Sequence, residues 1–322
     1  MKRCLTLMFL SVLMGIVFIL NLRADNTTQG TYIPSVILSA PWGEKNRFDN
    51  NEPSKPGTFG FWRNDQGIAC GPTAFTVAPD GDIYICDIIN DRIQRFSANG
   101  SFLAIIANAG VGYGEGMCVD KEGNLYTGHF HTRNPYVKKY DSNGNFVTTY
   151  QIVTDEEMGT DKPTNWGGAG NILVDDSGRV FIQYEKDGTN YRFQVGTKDA
   201  SFSAAQQKAT WKEGYLGITA NPPNGNRTYS GYLLGMDTDA EYEIEQEMKN
   251  GEPNRDISII KKYQKGKLVG TYTLNWKQID CPVITSFSMA GNQVFDKGNI
   301  YVFCSDKDGI KIIKWSPVEG GK

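Results

Sequence analysis

The chain has 322 residues, with 33 Lys and Arg against 36 Asp and Glu and a formal net charge of −3. No lysine- or arginine-rich run supplies the electrostatic footprint that nucleic acid requires, so that partner class is excluded. Apolar residues make up 39% and aromatic residues 12%, with 36 Gly beside 13 Pro; many strands joined by tight turns give this balance, and the expected class is all-β.

Lys2 and Arg3 precede an apolar run from Cys4 to Leu22, the pattern of an export leader. The run is long for a leader and close to the minimum that spans a bilayer. Residues 1–24 are expected to be a signal peptide cleaved after Ala24. Retention as a membrane anchor is the alternative, and membrane contact would then run through this segment alone. Cys4 stands before the apolar run, the wrong order for lipoprotein attachment. Either way residues 25–322 are expected outside the cytosol: secreted, periplasmic or surface-tethered.

Beyond the leader stand Cys70, Cys86, Cys118, Cys281 and Cys304. An odd set without C-x-x-C spacing argues against a zinc site or a dense disulfide framework. Cys86, Cys118 and Cys304 sit inside apolar strands and read as small buried hydrophobes, with room for a single pair.

The segment 32–43, YIPSVILSAPWG, reads as a lone strand. Then a unit of short strand, turn, alternating strand, longer turn, alternating strand, turn and strand runs over 75–106 and again over 117–150. A third copy, 171–196, keeps its first three strands, and the last, 286–317, stops after three. Between them YLLGMD, EYEIEQEM, DISIIKKY and KLVGTYTL supply four more strands. Five unit centres at intervals of roughly 45–60 residues indicate a repeat architecture. A four-stranded meander cannot hide both of its faces alone, and radial stacking solves that. The expectation is a single β-propeller over 25–322, with four-stranded antiparallel blades closed by the N-terminal strand. Five blades are counted, and six if 197–235 conceals another.

One stretch resembles a known family. Pro72, Asp80-Gly81, Ile83-Tyr84, Asp87, Asn90, Arg92-Ile93, Phe96, Asn99-Gly100 and Phe102 resemble an NHL-type β-propeller repeat. In the next unit Gly123, Leu125-Tyr126, Val137, Tyr140, Asn143-Gly144 and Phe146 keep the pattern, but His129 replaces the aspartate. Later units keep only the strand order. More distant propellers similar to this one include metal-dependent lactonases of the gluconolactonase type, which would imply a divalent cation held at the channel mouth.

Alternating strands put the short first-to-second and third-to-fourth turns on one face of such a disc. The long connections 41–69, 151–166 and 197–228 then fall on the other, and long loops on a rigid scaffold carry binding. The two histidines, His129 and His131, share a side at i, i+2 and are weak metal-ligand candidates; surface or turn-capping roles compete. Arg133 beside them suits an anionic ligand. Trp166 would stack on a sugar or aromatic ligand, with Asn165 and Asn171 as polar handles, unless it plugs a gap between blades. Glu115 is a further channel-mouth candidate. Glu241, Glu243, Glu245 and Glu247 line one side of a strand opposite Lys261 and Lys262, which reads as a solvated face.

No G-x-S-x-G, Walker or nucleotide fingerprint is present. The expected function is a non-catalytic binding module for a protein or carbohydrate partner on the long-loop face. A metal-dependent lactonase or related hydrolase is the rival.

Overall fold

The computed structural model describes residues 27–63, 69–108, 116–130, 132–159, 172–186, 189–210, 212–213, 232–236, 240–279, 293–296 and 298–320. The chain opens with β1 (Thr28–Pro41) and a small hairpin of β2 (Trp62–Arg63) and β3 (Ala69–Cys70). Sheet I follows, from β4 (Ala74–Val77), β5 (Ile83–Asp87), β6 (Arg92–Phe96) and β7 (Phe102–Asn108). Sheet II contains β8 (Gly116–Val119), β9 (Leu125–His129), β10 (Tyr136–Tyr140) and β11 (Phe146–Gln151). Sheet III contains β12 (Ile172–Val174), β13 (Arg179–Lys186) and β14 (Thr189–Thr197), with the short β15 (Ala200–Ser201) and β16 (Lys212–Glu213) both paired to β14.

Sheet IV is β17 (Tyr232–Met236), β18 (Glu241–Lys249), β19 (Glu252–Gln264) and β20 (Lys267–Asn275). Sheet V is β21 (Gln293–Asp296), β22 (Asn299–Ser305) and β23 (Gly309–Glu319), and its fourth strand is β1. The sequence places this N-terminal strand at 32–43, and the structure pairs it antiparallel to β23, with Val36 opposite Ile313 and Leu38 opposite Ile312. Its first residues also pair in parallel with β20, Thr28 to Gly270 through Thr31 to Thr273, so sheets IV and V join edge to edge.

The strands bury both faces, each into a different core. In β5, Ile83 and Ile85 face a cluster with Phe303, Tyr301 and Ile312 of sheet V, whereas Tyr84 and Cys86 face one with Leu125 and Tyr140 of sheet II. In β22, Tyr301 and Phe303 turn toward sheet I while Ile300, Val302 and Cys304 pack with Tyr242, Ile260 and Leu274 of sheet IV. A third such core joins Tyr126 and Tyr150 of sheet II to Val180, Ile182 and Phe193 of sheet III. Period-2 alternation with both phases apolar is the sequence form of a sheet clamped between two others. The first strands follow suit: β17 lies against β21, β21 against β4, β4 against β8 and β8 against β12. A nearly all-β chain of four-stranded antiparallel sheets stacked in this way is consistent with a β-propeller.

The turns sort as expected. A Cβ on Gly81 would meet Ala98, one on Gly123 Ser142, and one on Gly178 Lys198, so first-to-second and third-to-fourth turns lie side by side on one face. Third-to-fourth turns also grip the neighbouring sheet. A Cβ on Gly100 would sit 2.4 Å from the Ile37 carbonyl oxygen of β1, and one on Gly144 2.3 Å from that of Ile106 in β7. Both glycines have positive φ, 82° and 87°, so backbone conformation and close approach each demand glycine.

Three regions add detail. Within 197–213, the described part of the suspected sixth unit, there are two two-residue strands and a short helix, Ala204–Ala209, all packed around β14; 214–231 lies outside the described residues. The turn between β18 and β19 falls at Asn250-Gly251, both with positive φ, the backbone that an Asn-Gly hairpin adopts. The glutamate strip is a solvated face only in part. Glu243 is 1% exposed, whereas Glu245, paired with Lys261 at 2.7 Å, and Glu247 stay partly exposed.

Candidate functional site on the long-loop face

The loop between β1 and β4 runs over the face opposite the short turns, and sheet I holds it through a buried polar network. Asp87 ends β5 and Arg92 begins β6, so the two stand directly opposite each other. Arg92 Nε donates to Asp87 Oδ2 at 2.9 Å, with side chains 2% and 0% exposed. The other guanidinium nitrogens donate to the Ser54 carbonyl oxygen at 2.6 Å, Ser54 Oγ at 3.0 Å and the Thr58 carbonyl oxygen at 2.7 Å. Asp87 Oδ1 accepts from the Gly60 amide at 3.0 Å, and Asn90 Nδ2 donates to Asp87 Oδ2 and Ser54 Oγ, each at 2.8 Å. Gln94 adds a bond to the Thr58 carbonyl oxygen and accepts from the Gly57 amide. Burial pushes the Asp87 carboxyl up, and Arg92, Asn90 and the Gly60 amide pull it back. Buried charges persist only when paired and hydrogen-bonded as these are.

The network fixes what the loop displays. Phe59 is fully buried and stacks on Phe96 at 5.7 Å. Trp42 packs on Phe61 at 5.1 Å and donates from Nε1 to the Asp306 carbonyl oxygen at 2.9 Å. Asn46 Nδ2 holds the Phe61 carbonyl oxygen at 3.0 Å. Trp42, Phe61 and Trp62 are all partly exposed, and the exposed Arg63 lies over the Phe61 ring at 5.8 Å. An aromatic group with a guanidinium on a rigid loop suits a planar or sugar-like ligand.

The equivalent place in sheet II is built differently. His129 occupies the position of Asp87, Tyr136 that of Arg92 and Lys138 that of Gln94. The His129 and Tyr136 rings stack at 4.4 Å, 19° apart, and Lys138 Nζ lies 5.7 Å from the Tyr136 centroid. His129 is 4% exposed and Thr127, on the same side of β9, is 0% exposed. His129 Nε2 and Thr127 Oγ1 have no hydrogen-bond partner. Burial, reinforced by the Lys138 ammonium, lowers the imidazole pKa to about 4 against the weaker pull of Asp91. His129 is thus a buried neutral group and not the surface or turn-capping histidine expected, because sheet I covers that side of β9. In sheet V the matching position is Cys304, which is disulfide-bonded. It is buried as expected, but is not a free thiol; Cys70, Cys86 and Cys118 are.

Of the sequence candidates, Arg133 is exposed on the turn between β9 and β10, next to His129 in the chain. His131, Glu115, Asn165, Trp166 and Asn171 lie outside the described residues. Among the described residues no three His, Cys, Asp or Glu side chains converge to hold a metal ion. Sequence reasoning marked loop 41–69 but missed Trp42, Phe61, Trp62 and Arg63; the aromatic run Phe59-Gly60-Phe61-Trp62 in a non-repeating loop was the available signal.

No family model matches the chain. No curated protein matches it. Among solved structures it is similar to a functionally unknown protein of Desulfotomaculum acetoxidans, 11% identical over 76% of this chain and 82% of that one, with a TM-score of 0.44. A DUF4221 family member of Bacteroides vulgatus is 9% identical over 91% and 100%, at 0.42. Streptogramin B lyase, one of several propeller-like neighbours, is 12% identical over 80% and 86%, at 0.34. At these scores none carries an argument about function.

Proposed function

We propose that the chain is an exported, NHL-like propeller of five blades, sheets I–V, closed by β1, which binds a protein or carbohydrate partner on its long-loop face without catalysis. In this reading residues 1–24 are the leader and 25–322 the propeller. The serial contact of first strands from β17 through β21, β4 and β8 to β12 supports radial stacking, and the antiparallel seating of β1 on β23 supports the latch between the two ends of the chain. Export draws support from the basic and apolar start of the chain and from the bonded Cys304, since disulfides persist in oxidising compartments.

The observation that carries the binding reading is the loop network. A buried ion pair with at least five further hydrogen bonds to one loop is far more than a connection needs. It anchors the loop next to Phe61, whose carbonyl oxygen Asn46 holds, while Asp306 holds Trp42, and pre-organisation lowers the entropic cost of association. A metal-dependent hydrolase would need a cation and a substrate that responds to it.

The test is capture of partners from envelope extracts and immobilised polysaccharides, comparing the full chain with Phe61→Ala and with Lys267→Ala on the opposite face. Loss of capture in the first variant alone supports the reading. Cation-dependent hydrolysis of simple lactones by the unaltered chain overturns it.

A further inference from the structure

We infer that Asn250 is a position of self-driven modification: at the tip of the hairpin between β18 and β19 the main-chain nitrogen of Gly251 attacks the Asn250 carboxamide, and the turn converts with time to aspartate and isoaspartate. The inference does not depend on the binding reading above.

The chain holds four Asn-Gly pairs, Asn99-Gly100, Asn143-Gly144, Asn224-Gly225 and Asn250-Gly251, and the third lies outside the described residues. Glycine leaves the attacking nitrogen without a shielding side chain and gives the turn its freest backbone, so in an unfolded chain the pairs are equivalent. Folding separates them. The Gly100 amide donates to the Ser97 carbonyl oxygen at 2.8 Å and the Gly144 amide to that of Asp141 at 2.9 Å. Asn99 Oδ1 further accepts from Ser97 Oγ and from the Ser101 amide. Both turns are also pressed on the next sheet, since a Cβ on Gly100 or Gly144 would stand 2.4 or 2.3 Å from a carbonyl oxygen of β1 or β7.

Asn250-Gly251 is held by none of these restraints. Among the described residues nothing accepts from the Gly251 amide, a Cβ there would meet nothing within 4 Å, and both residues are exposed. Among the described residues, pairing of β18 with β17 ends at Ile244 and pairing of β19 with β20 ends at Ile257; beyond these points the two strands pair only with each other. A bulge at Gln246 and Glu247 and the 61% exposed Met248 mark the same stretch. A two-stranded ribbon is marginal in water, so this tip opens at a low free energy and brings Gly251 N within reach of Asn250 Cγ.

Gly251 N gives up its proton to water or hydroxide and bonds to Asn250 Cγ, closing a succinimide ring while the carboxamide nitrogen leaves as ammonia. Water then opens the ring at either carbonyl. Opening at the former side-chain carbon gives aspartate; opening at the main-chain carbon gives isoaspartate, whose main chain is longer by a methylene. Both products add a carboxylate to an arm that already carries Glu247 and Glu252. The longer main chain no longer fits the Asn-Gly turn that sets Lys249 opposite Glu252, so isoaspartate loosens the arm.

The experiment ages the folded full chain, and the same chain in guanidinium chloride, side by side in mildly alkaline buffer. Each Asn-Gly peptide is followed by mass spectrometry, with isoaspartyl methylation as a second readout on the peptide that carries residue 250. The denatured chain is expected to react at Asn99, Asn143 and Asn250 at comparable rates. In the folded chain Asn250 is expected to react about tenfold faster than either of the others. The folded variant Asn250→Gln is expected to show no mass gain in that peptide. Aged parent, and not the aged variant, is expected to lose hydrogen-exchange protection over residues 245–256. Reaction at Asn250 no faster than at Asn99 or Asn143 in the folded chain overturns the site. A mass gain that Asn250→Gln leaves in place assigns the reaction to Asn254 and overturns it equally. Unchanged protection in chain that has reacted at Asn250 overturns the loosening of the arm.

Discussion

Asp87 and Arg92 face each other across adjacent strands of sheet I at 2.9 Å, both out of contact with solvent, yet most of the bonds they make reach a loop from outside that sheet. Arg92→Ala would leave the carboxylate buried without its cation, which costs about 3–5 kcal/mol. It would also release the loop, so trypsin should cut after Arg63 in the variant and not in the parent. Asp87→Asn combined with Arg92→Met should cost less than the two single changes added together, as coupled partners do. Urea unfolding and limited proteolysis check both points; additive costs would mean that the pair acts independently.

Gly144 and Gly251 separate two reasons for glycine. Both have positive φ, 87° and 85°, but a Cβ at Gly144 would lie 2.3 Å from the Ile106 carbonyl oxygen, whereas one at Gly251 meets nothing within 4 Å. Gly251→Ala should cost about 1 kcal/mol from backbone strain alone. Gly144→Ala should cost about 1–3 kcal/mol more, because β7 of the next sheet must move. Equal costs in denaturant melts would show that third-to-fourth turns do not press on the neighbouring sheet.

His129 gives acid sensitivity with a defined sign. Its folded pKa of about 4 lies below the ordinary value near 6.5, so between these limits the unfolded chain binds more protons. Its contribution to stability is fully present above about pH 6.5 and is lost as pH falls toward 4. The drop in melting temperature between pH 7 and pH 5 should be smaller in His129→Phe than in the parent. An unchanged drop would mean that the imidazole is charged in the folded state.

The Cys304 bond should appear as thiols that react only after reduction. Denatured chain treated with reductant should expose two more thiols than denatured chain without it. Cys304→Ser should be destabilised by about 2–5 kcal/mol. An identical thiol count with and without reductant would contradict the bond and remove a support for export.

The strand order was legible because its signals are local. Asp80-Gly81, Glu122-Gly123 and Ser177-Gly178 mark turns by backbone need alone, and alternation in IYICD or NIYVFCS marks strands with two buried sides. The network around Asp87 was not legible. Its partners Ser54, Thr58 and Gly60 lie in a non-repeating loop about thirty positions earlier, and nothing in a single sequence links them. His129 and Glu243 looked exposed for a related reason: a strand residue's own neighbours do not say which sheet will cover it. Trp42 and Phe61 were passed over because aromatic residues in loops carry no periodicity to weigh.

Everything about the two faces depends on β1 completing sheet V, where Ser35 stands opposite Lys314. The most direct measurement is oxidation of the double variant Ser35→Cys, Lys314→Cys, with each single variant as control. A crosslink within one chain is expected in the double variant only, visible on non-reducing gels after proteolysis, with a raised melting temperature. A crosslink that forms only between chains, or none at all, would contradict it.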